Sequence, residues 1–285
     1  MNKYHEENRL SWNEATIAHN SHKGDQAKFF REGGNKLYHE EKELLGDITG
    51  LTLVHLQCNA GQDTLSLAQM GASVTGVDIS DTAIEFARQL STDSGVPATF
   101  VRMDVYDWLE QTARAGMKFD IVFCSYGAIV WLSDLRTWAR GIAAILKPGG
   151  RFITVEYHPI LSLFDEKLQR TLPYFTDGKP WTWEEGIGDY VAMTGEGLPG
   201  STFEPGVQEF KNTHKSHEFQ WGIGEVVTVL LEAGLQLTTL QEYPYSNGFK
   251  PFNAMHESER RWYLPQGTPN LPLMYAISAR KPEQG

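Results

Sequence analysis

Two periods of apolar residues take turns between residues 51 and 158. Val54, Leu56 and their neighbours make an apolar run of strand length, and residues 63–70 then space apolar side chains helically through Leu65, Leu67 and Ala68. Gly71 and Ala72 stop that helix, residues 73–77 form a second apolar run, and Asp78 closes it. Ser80 or Asp81 caps a helix through Leu90, with Ala83, Ile84, Ala87 and Leu90 on one face and Gly95 behind it. The rhythm continues with a strand at 98–103 ending at Asp104, a short helix at 105–113 and a strand at 119–124. A helix at 132–146 presents Trp138, Ile142 and Ile145, and after Pro148-Gly149-Gly150 comes a strand at 151–156. Strands alternating with helices predict an α/β fold, a doubly wound parallel sheet covered on both faces.

The flanks break this rhythm. Ser11, with Glu14 three residues on, predicts a helix start. Gly33-Gly34 breaks a second helical segment, and residues 36–45 resume it. Residues 1–50 therefore read as a helical cap, too polar for the core, lying over the mouth of the domain with Trp12 and Phe30 as anchors. Residues 159–220 are rich in Gly, Pro and aromatics, among them Phe164, Tyr174, Trp181, Trp183 and Tyr190. An interruption that long is functional or has local structure of its own. Its aromatics form either an acceptor pocket or a small core. A helix at 224–233, a strand at 236–243, an irregular stretch at 244–272 and a strand at 273–280 follow. The division is thus a cap over 1–50 and one domain over 51–285, with 159–220 as an insertion on its substrate side.

Charge and cysteine content narrow the function. The 285 residues carry 25 Lys+Arg against 36 Asp+Glu, a net charge of −11, which disfavours nucleic acid as a partner. Two cysteines, Cys58 and Cys124, both at strand ends, fit buried thiols in a reducing, cytoplasmic compartment. No apolar run spans a bilayer. His214 and His217 lack further ligands, so no metal is expected. Oligomeric state is left open.

The strand, turn, helix, strand and acid from Leu51 to Asp78 make half of a mononucleotide-binding unit. Three further pieces extend it: Val77-Asp78, Met103-Asp104-Val105, and Leu146-Lys147-Pro148-Gly149-Gly150. With Val54-His55-Leu56-Gln57-Cys58-Asn59-Ala60-Gly61 these resemble, in order, the motifs of the class I S-adenosylmethionine-dependent methyltransferases, in particular a broad bacterial group of small-molecule type. The resemblance covers residues 51–158 and 221–281. It implies a Rossmann-like seven-stranded sheet with an antiparallel last strand, S-adenosylmethionine as cofactor, and methyl transfer to a small-molecule acceptor by in-line displacement. The family's first motif has three glycines, and here only Gly61 remains. Asn59 tolerates φ > 0 and preserves the turn; Gln57 offers its amide to the methionine end of the cofactor.

The resemblance implies cofactor contacts from Gln57, Cys58, Asn59, Gly61, Asp78, Ile79, Asp104, Val105, Ser125 and Tyr126. Tyr126 follows the fourth strand, where methyl group and acceptor meet. His158, after the fifth strand, is the expected general base because imidazole titrates near neutrality. His22, with His19, reaches toward the site from the cap. Lys23 or Arg31 neutralises the cofactor carboxylate, and Trp131, Tyr243 and Tyr245 wall the acceptor. Two alternatives differ in class. A nicotinamide-dependent oxidoreductase expects G-x-G-x-x-G, which Q-C-N-A-G does not supply. A non-catalytic S-adenosylmethionine-binding protein would explain the altered first motif.

Overall fold

The computed structural model describes residues 2–195 and 203–283. Three helices open the chain, α1 (Lys3–Ser21), α2 (Gln26–Arg31) and α3 (His39–Leu45). The alternating part follows: β1 (Thr52–Leu56), α4 (Gln62–Gln69), β2 (Ser73–Asp78), α5 (Asp81–Ser94), β3 (Thr99–Arg102), α6 (Val105–Arg114), β4 (Phe119–Ser125), α7 (Leu135–Ile145) and β5 (Leu146–Tyr157). The insertion carries a short strand β6 (Trp181–Trp183), a one-turn helix α8 (Tyr190–Thr194) and a strand β7 (Ser216–Glu218). Then come α9 (Ile223–Glu232), β8 (Gln236–Tyr243), β9 (Tyr245–Asn247), β10 (His256–Ser258), β11 (Arg261–Tyr263) and β12 (Met274–Arg280).

The main sheet has seven strands in the order β3-β2-β1-β4-β5-β12-β8. The first five are parallel, and β12 runs antiparallel to both neighbours. Strand order reverses between β1 and β4, and a crevice opens beyond their carboxyl ends. Alternate residues of each strand face opposite sides. Val54 and Val122 join Leu109, Trp138, Ile142 and Val226 on one face. Leu53, Ile121, Phe123 and Ile153 pack on the other against Leu37, Leu45, Ile48 and Leu67. The first fifty residues are therefore not only a polar cap: their last third covers one face of the sheet.

Other expectations are also corrected. The first helix starts at the Asn2 N-cap, whose side chain accepts the His5 N–H at 3.0 Å. Ser11 lies mid-helix, buried, and accepts the N–H of Ile187 in the insertion at 3.0 Å. Asp134 caps α7 through the Thr137 N–H, delaying the helix to Leu135. Pro148-Gly149-Gly150 is an irregularity inside β5 rather than a turn before it. The stretch after β8 is irregular for most of its length but holds three short strands: β10, β11 and β9 form a small antiparallel sheet. Its three-residue strands are too short for a period-2 signal.

The insertion and α1 form a common layer. Antiparallel β6 and β7 pair with each other, and Asn8 on α1 donates to the His217 carbonyl at 2.9 Å while accepting its N–H at 2.7 Å. No helix among the described residues is long and apolar enough to cross a membrane.

Candidate active site

A cavity of about 770 Å³ lies beyond the carboxyl ends of β1–β4, roofed by α1 and the insertion. That is toward the upper end of the ~300–1,000 Å³ usual for small-molecule sites. Its floor is the turn after β1. Gln57, Asn59 and Gly61 have φ of 55°, 47° and 81°, so left-handed residues alternate through the turn. Gly61 is required for a second reason: a Cβ there would stand 2.8 Å from Ala87 Cβ and from the Phe100 ring. The turn is tied to the next strand. The Cys58 N–H donates to the Val77 carbonyl at 3.0 Å, and the Asn59 N–H donates to Asp78 Oδ2 at 2.8 Å. Asp78 Oδ1 accepts the Ser80 N–H at 2.8 Å. Burial raises the Asp78 pKa and these amide donors oppose the rise.

Nine of the ten residues expected at the cofactor line this cavity; Gly61 does not, and acts by shaping the turn and packing α4 on α5. Gln57 Nε2 donates to the Ala128 carbonyl at 2.6 Å, and its Oε1 is buried without a hydrogen-bond partner among the described residues. Asp104 caps α6 through the Tyr106 N–H at 2.9 Å. Its other oxygen meets His5 Nδ1 of α1 at 2.6 Å. His5, Asn8 and Trp12 line the cavity at i, i+3 and i+7, one stripe of the helix.

A charged corner lies beside the turn. Lys36 pairs with Asp63 at 3.1 Å, and Lys23 and His55 complete the group. Burial raises Asp63, but the charges of Lys36 and His55 outweigh it and hold the carboxyl below its usual range. Burial, with Lys36 nearby, lowers Lys23 to about 7.

The far end is aromatic. Tyr126 (φ 44°) lies 5.9 Å from the Tyr38 ring and 5.5 Å from Tyr157, centroid to centroid. The loop behind it is clamped by buried Glu156, whose carboxylate accepts the N–H groups of Gly127 (2.6 Å), Ala128 (2.6 Å) and Ile129 (3.1 Å). Trp131 lines the cavity edge-on to Trp12, centroids 5.4 Å apart. The insertion contributes Tyr190, whereas Phe164 joins Phe252, Met255 and Leu273 in a separate cluster.

Several expected residues stand elsewhere. His158 is outside the cavity lining. Its Nδ1 accepts the Ile160 N–H at 3.0 Å and its Nε2 meets Glu242 at 2.9 Å, so both ring nitrogens are engaged. His22 is likewise outside, held between the Glu204 carbonyl (3.0 Å) and Asp189 (2.9 Å). His19 bonds the Gly188 carbonyl at 2.9 Å. Arg31 donates to the Asp93 carbonyl at the surface. Tyr243 and Tyr245 stay out of the lining, and Tyr245 donates to Glu40 at 2.7 Å. Sequence reasoning missed Tyr38, Glu41 and Asn247, which meet at Tyr126. The one legible trace was Glu41 as a first-turn acid, and it does fill that role by accepting the Tyr38 N–H at 2.9 Å.

Residues 54–150 match the family of methyltransferase domains. The sheet order, with β12 antiparallel to both neighbours, is the one that the resemblance to class I S-adenosylmethionine-dependent methyltransferases implies. Among curated relatives, ubiquinone biosynthesis O-methyltransferases from Methylobacterium sp. and Bordetella avium are 30% and 32% identical over 128 and 125 residues. Those matches cover 44% and 43% of this chain and 49% and 50% of the relatives, so the chain spans about half the length of the curated relatives it matches. Two solved S-adenosylmethionine-dependent methyltransferases share the fold. The one from Mesorhizobium loti is 19% identical, with TM-score 0.51 over 84% of this chain and 95% of its own. The one from Clostridium acetobutylicum is 14% identical, with TM-score 0.54 over 85% and 89%.

Proposed function

We propose that this protein transfers a methyl group from S-adenosylmethionine to a small-molecule acceptor. The observation that carries the reading is the convergence of Gln57, Asp78, Asp104 and Ser125, each at the end of a different strand, on one cavity that also holds a charged corner and an aromatic end. The residues fit the cofactor. Asp78 offers carboxylate lone pairs to ribose hydroxyls, and Asp104 and Val105 flank the adenine. Lys23, Lys36, Asp63 and Gln57 Oε1, which has no hydrogen-bond partner among the described residues, suit the charged groups of its methionine end. When bound, S-adenosylmethionine supplies a methyl group already activated by a sulfonium. The chain's task is to hold the acceptor close, exclude water and manage any proton.

Tyr126 is the side chain we assign next to the acceptor; α1 and the described part of the insertion supply the layer over it. The roofed cavity and the net charge of −11 favour a small acceptor over a nucleic acid. The two buried free thiols, Cys58 and Cys124, favour the cytoplasm. Calorimetry with S-adenosylhomocysteine tests the reading. Tight binding by the wild type and a loss of about 100-fold in Asp78→Ala, the value of a charge-assisted hydrogen-bond pair, is expected. Stabilisation by NAD instead would overturn it.

A further inference from the structure

Helix α3 turns two consecutive carboxylates inward, Glu40 at 2% exposure and Glu41 at 1%. They meet opposite surroundings. Glu40 is ion-paired with Arg261 and accepts hydrogen bonds from Tyr245 (2.7 Å) and Asn247 (2.8 Å). Burial raises its pKa, but these donors and the Arg261 charge bring it below the ordinary value. No cation lies within ion-pair distance of Glu41 among the described residues; its nearest partners are neutral. Its Oε2 accepts the Tyr38 N–H at 2.9 Å and the Tyr126 hydroxyl at 2.8 Å. Its Oε1 is buried with no hydrogen-bond partner among the described residues. Burial, reinforced by the Asp63 charge, pushes the Glu41 carboxyl up to about 8.

Glu41 does not line the cavity; Tyr126 does, and connects the two. The Tyr126 oxygen accepts one hydrogen bond from Asn247 at 3.0 Å and donates one to Glu41. A lone pair remains for one more donor. The left-handed backbone at Tyr126 is uncommon for a residue with a Cβ. It is held by the Tyr126 N–H bond to the Val155 carbonyl (2.8 Å) and by the Glu156 clamp on the next three N–H groups. Strain maintained by surrounding hydrogen bonds clusters at functional sites.

We propose that Tyr126 is the catalytic residue that takes the proton from a hydroxyl acceptor, and that Glu41 behind it is where the proton goes. The proposal rests on the methyltransferase reading and names its substrate class: a phenol or alcohol that must lose a proton. The acceptor O–H bond breaks as its proton passes to the Tyr126 oxygen, and the Tyr126 proton passes to Glu41 Oε2. The freed oxygen pair forms the O–CH3 bond while the S–CH3 bond breaks with its electron pair left on sulfur. The groups facing Glu41 are Lys36, Asp63, Tyr126, Tyr157 and Tyr243, with the Glu40–Arg261 pair beside it. Glu41 accepts a proton only when ionised, so the rate rises with pH through about 8 and then levels.

The test uses the full chain with S-adenosylmethionine, phenol and 4-nitrophenol, the second being acidic enough to need no base. Wild type should methylate both. Tyr126→Phe and Glu41→Gln should lose about 100-fold on phenol and little on 4-nitrophenol. Glu41→Gln should also lose the pH limb, and Glu41→Asp should keep part of it. Difference infrared spectroscopy of the S-adenosylhomocysteine complex supplies a readout without turnover. A protonated carboxyl band titrating near 8 should be present in wild type and absent in Glu41→Gln. Equal losses on both phenols, an unshifted pH profile, or no such band overturns the proposal. So does a wild type that binds S-adenosylhomocysteine but methylates neither phenol. Failure to bind S-adenosylhomocysteine at all overturns the methyltransferase reading and the proposal with it.

Discussion

The two ends of the cavity are assembled on different scales. At the end we assign to the cofactor, Gln57, Asp78, Asp104 and Ser125 each stand at or just after the end of a strand of one sheet, and the strand positions them. The Asn59 N–H reaches Asp78 because β1 and β2 are paired in register up to Leu56 and Val77. At the acceptor end, Glu40 meets Asn247 across 207 residues of chain, and Glu41 meets Tyr126 across 85. Strand ends supply the side chains along most of that end, and the Lys36–Asp63 pair closes its corner. The acceptor end is a buried polar network, in which each member depends on partners from other segments.

That difference predicts a mutation that separates the ends. Glu156→Ala removes the acceptor of three N–H groups in the loop carrying Tyr126. Each buried amide left without a partner costs about 1–3 kcal/mol, so a loss of roughly 4 kcal/mol is expected in denaturant titration. Gln57, Asp78 and Asp104 stand at the ends of β1, β2 and β3, outside the loop that Glu156 clamps, so S-adenosylhomocysteine affinity should fall by less than about tenfold, under about 1.4 kcal/mol. Equal collapse of both ends would break the comparison. The Gln57 bond to the Ala128 carbonyl would then be the coupling to examine.

A second effect separates Glu41 from its neighbour through pH. The Glu41 pKa is raised in the folded chain, from 4.5 to about 8, so the folded state holds a proton that the unfolded state releases. Stability from this group is complete below about 4.5 and is lost as pH rises through about 8. Glu41→Gln has no proton to lose. Its stability relative to wild type should therefore improve with rising pH, by on the order of 5 kcal/mol across that window. Glu40, shifted the other way, should give no such slope when changed to Gln. Parallel pH–stability curves for wild type and Glu41→Gln would remove Glu41 from the proton-handling role.

The same contrast explains what the sequence made legible. Apolar periodicity located the strands and helices of residues 51–158 to within a few positions, because each was long enough for its period to register. The strand-end residues followed from that order. Local rules failed where a partner was distant. Ser11 resembled a helix cap because its true partner, the Ile187 N–H, lies in the insertion. Glu40 and Glu41 gave no local signal of their role, since nothing nearby announced Tyr245, Asn247 or Tyr126. The small sheet of β9, β10 and β11 has three residues per strand, below the length at which alternation is visible. Leu37, Leu45 and Ile48 were hidden among charges, yet they cover a face of the main sheet.

His158 gives the smallest and most pointed prediction, because it follows a strand of the main sheet and yet serves neither end of the cavity. Its place after β5 and its residue type suggested a base, but its neighbours assign it a structural task. Its Nδ1 caps the turn at Pro159–Leu163 and its Nε2 is bonded to Glu242 on β8, across β12 from β5. Burial lowers its pKa while Glu242 opposes that shift. His158→Ala should therefore cost about 1 kcal/mol of stability, the worth of an ordinary hydrogen bond. It should leave methyl transfer to phenol within about threefold of wild type, less than 1 kcal/mol in barrier. The pH–rate profile should keep its limb near 8, because Glu41 and Tyr126 are untouched. A loss of more than about tenfold in rate, with the fold intact by circular dichroism, would return His158 to the reaction and remove the need for a relay through Tyr126.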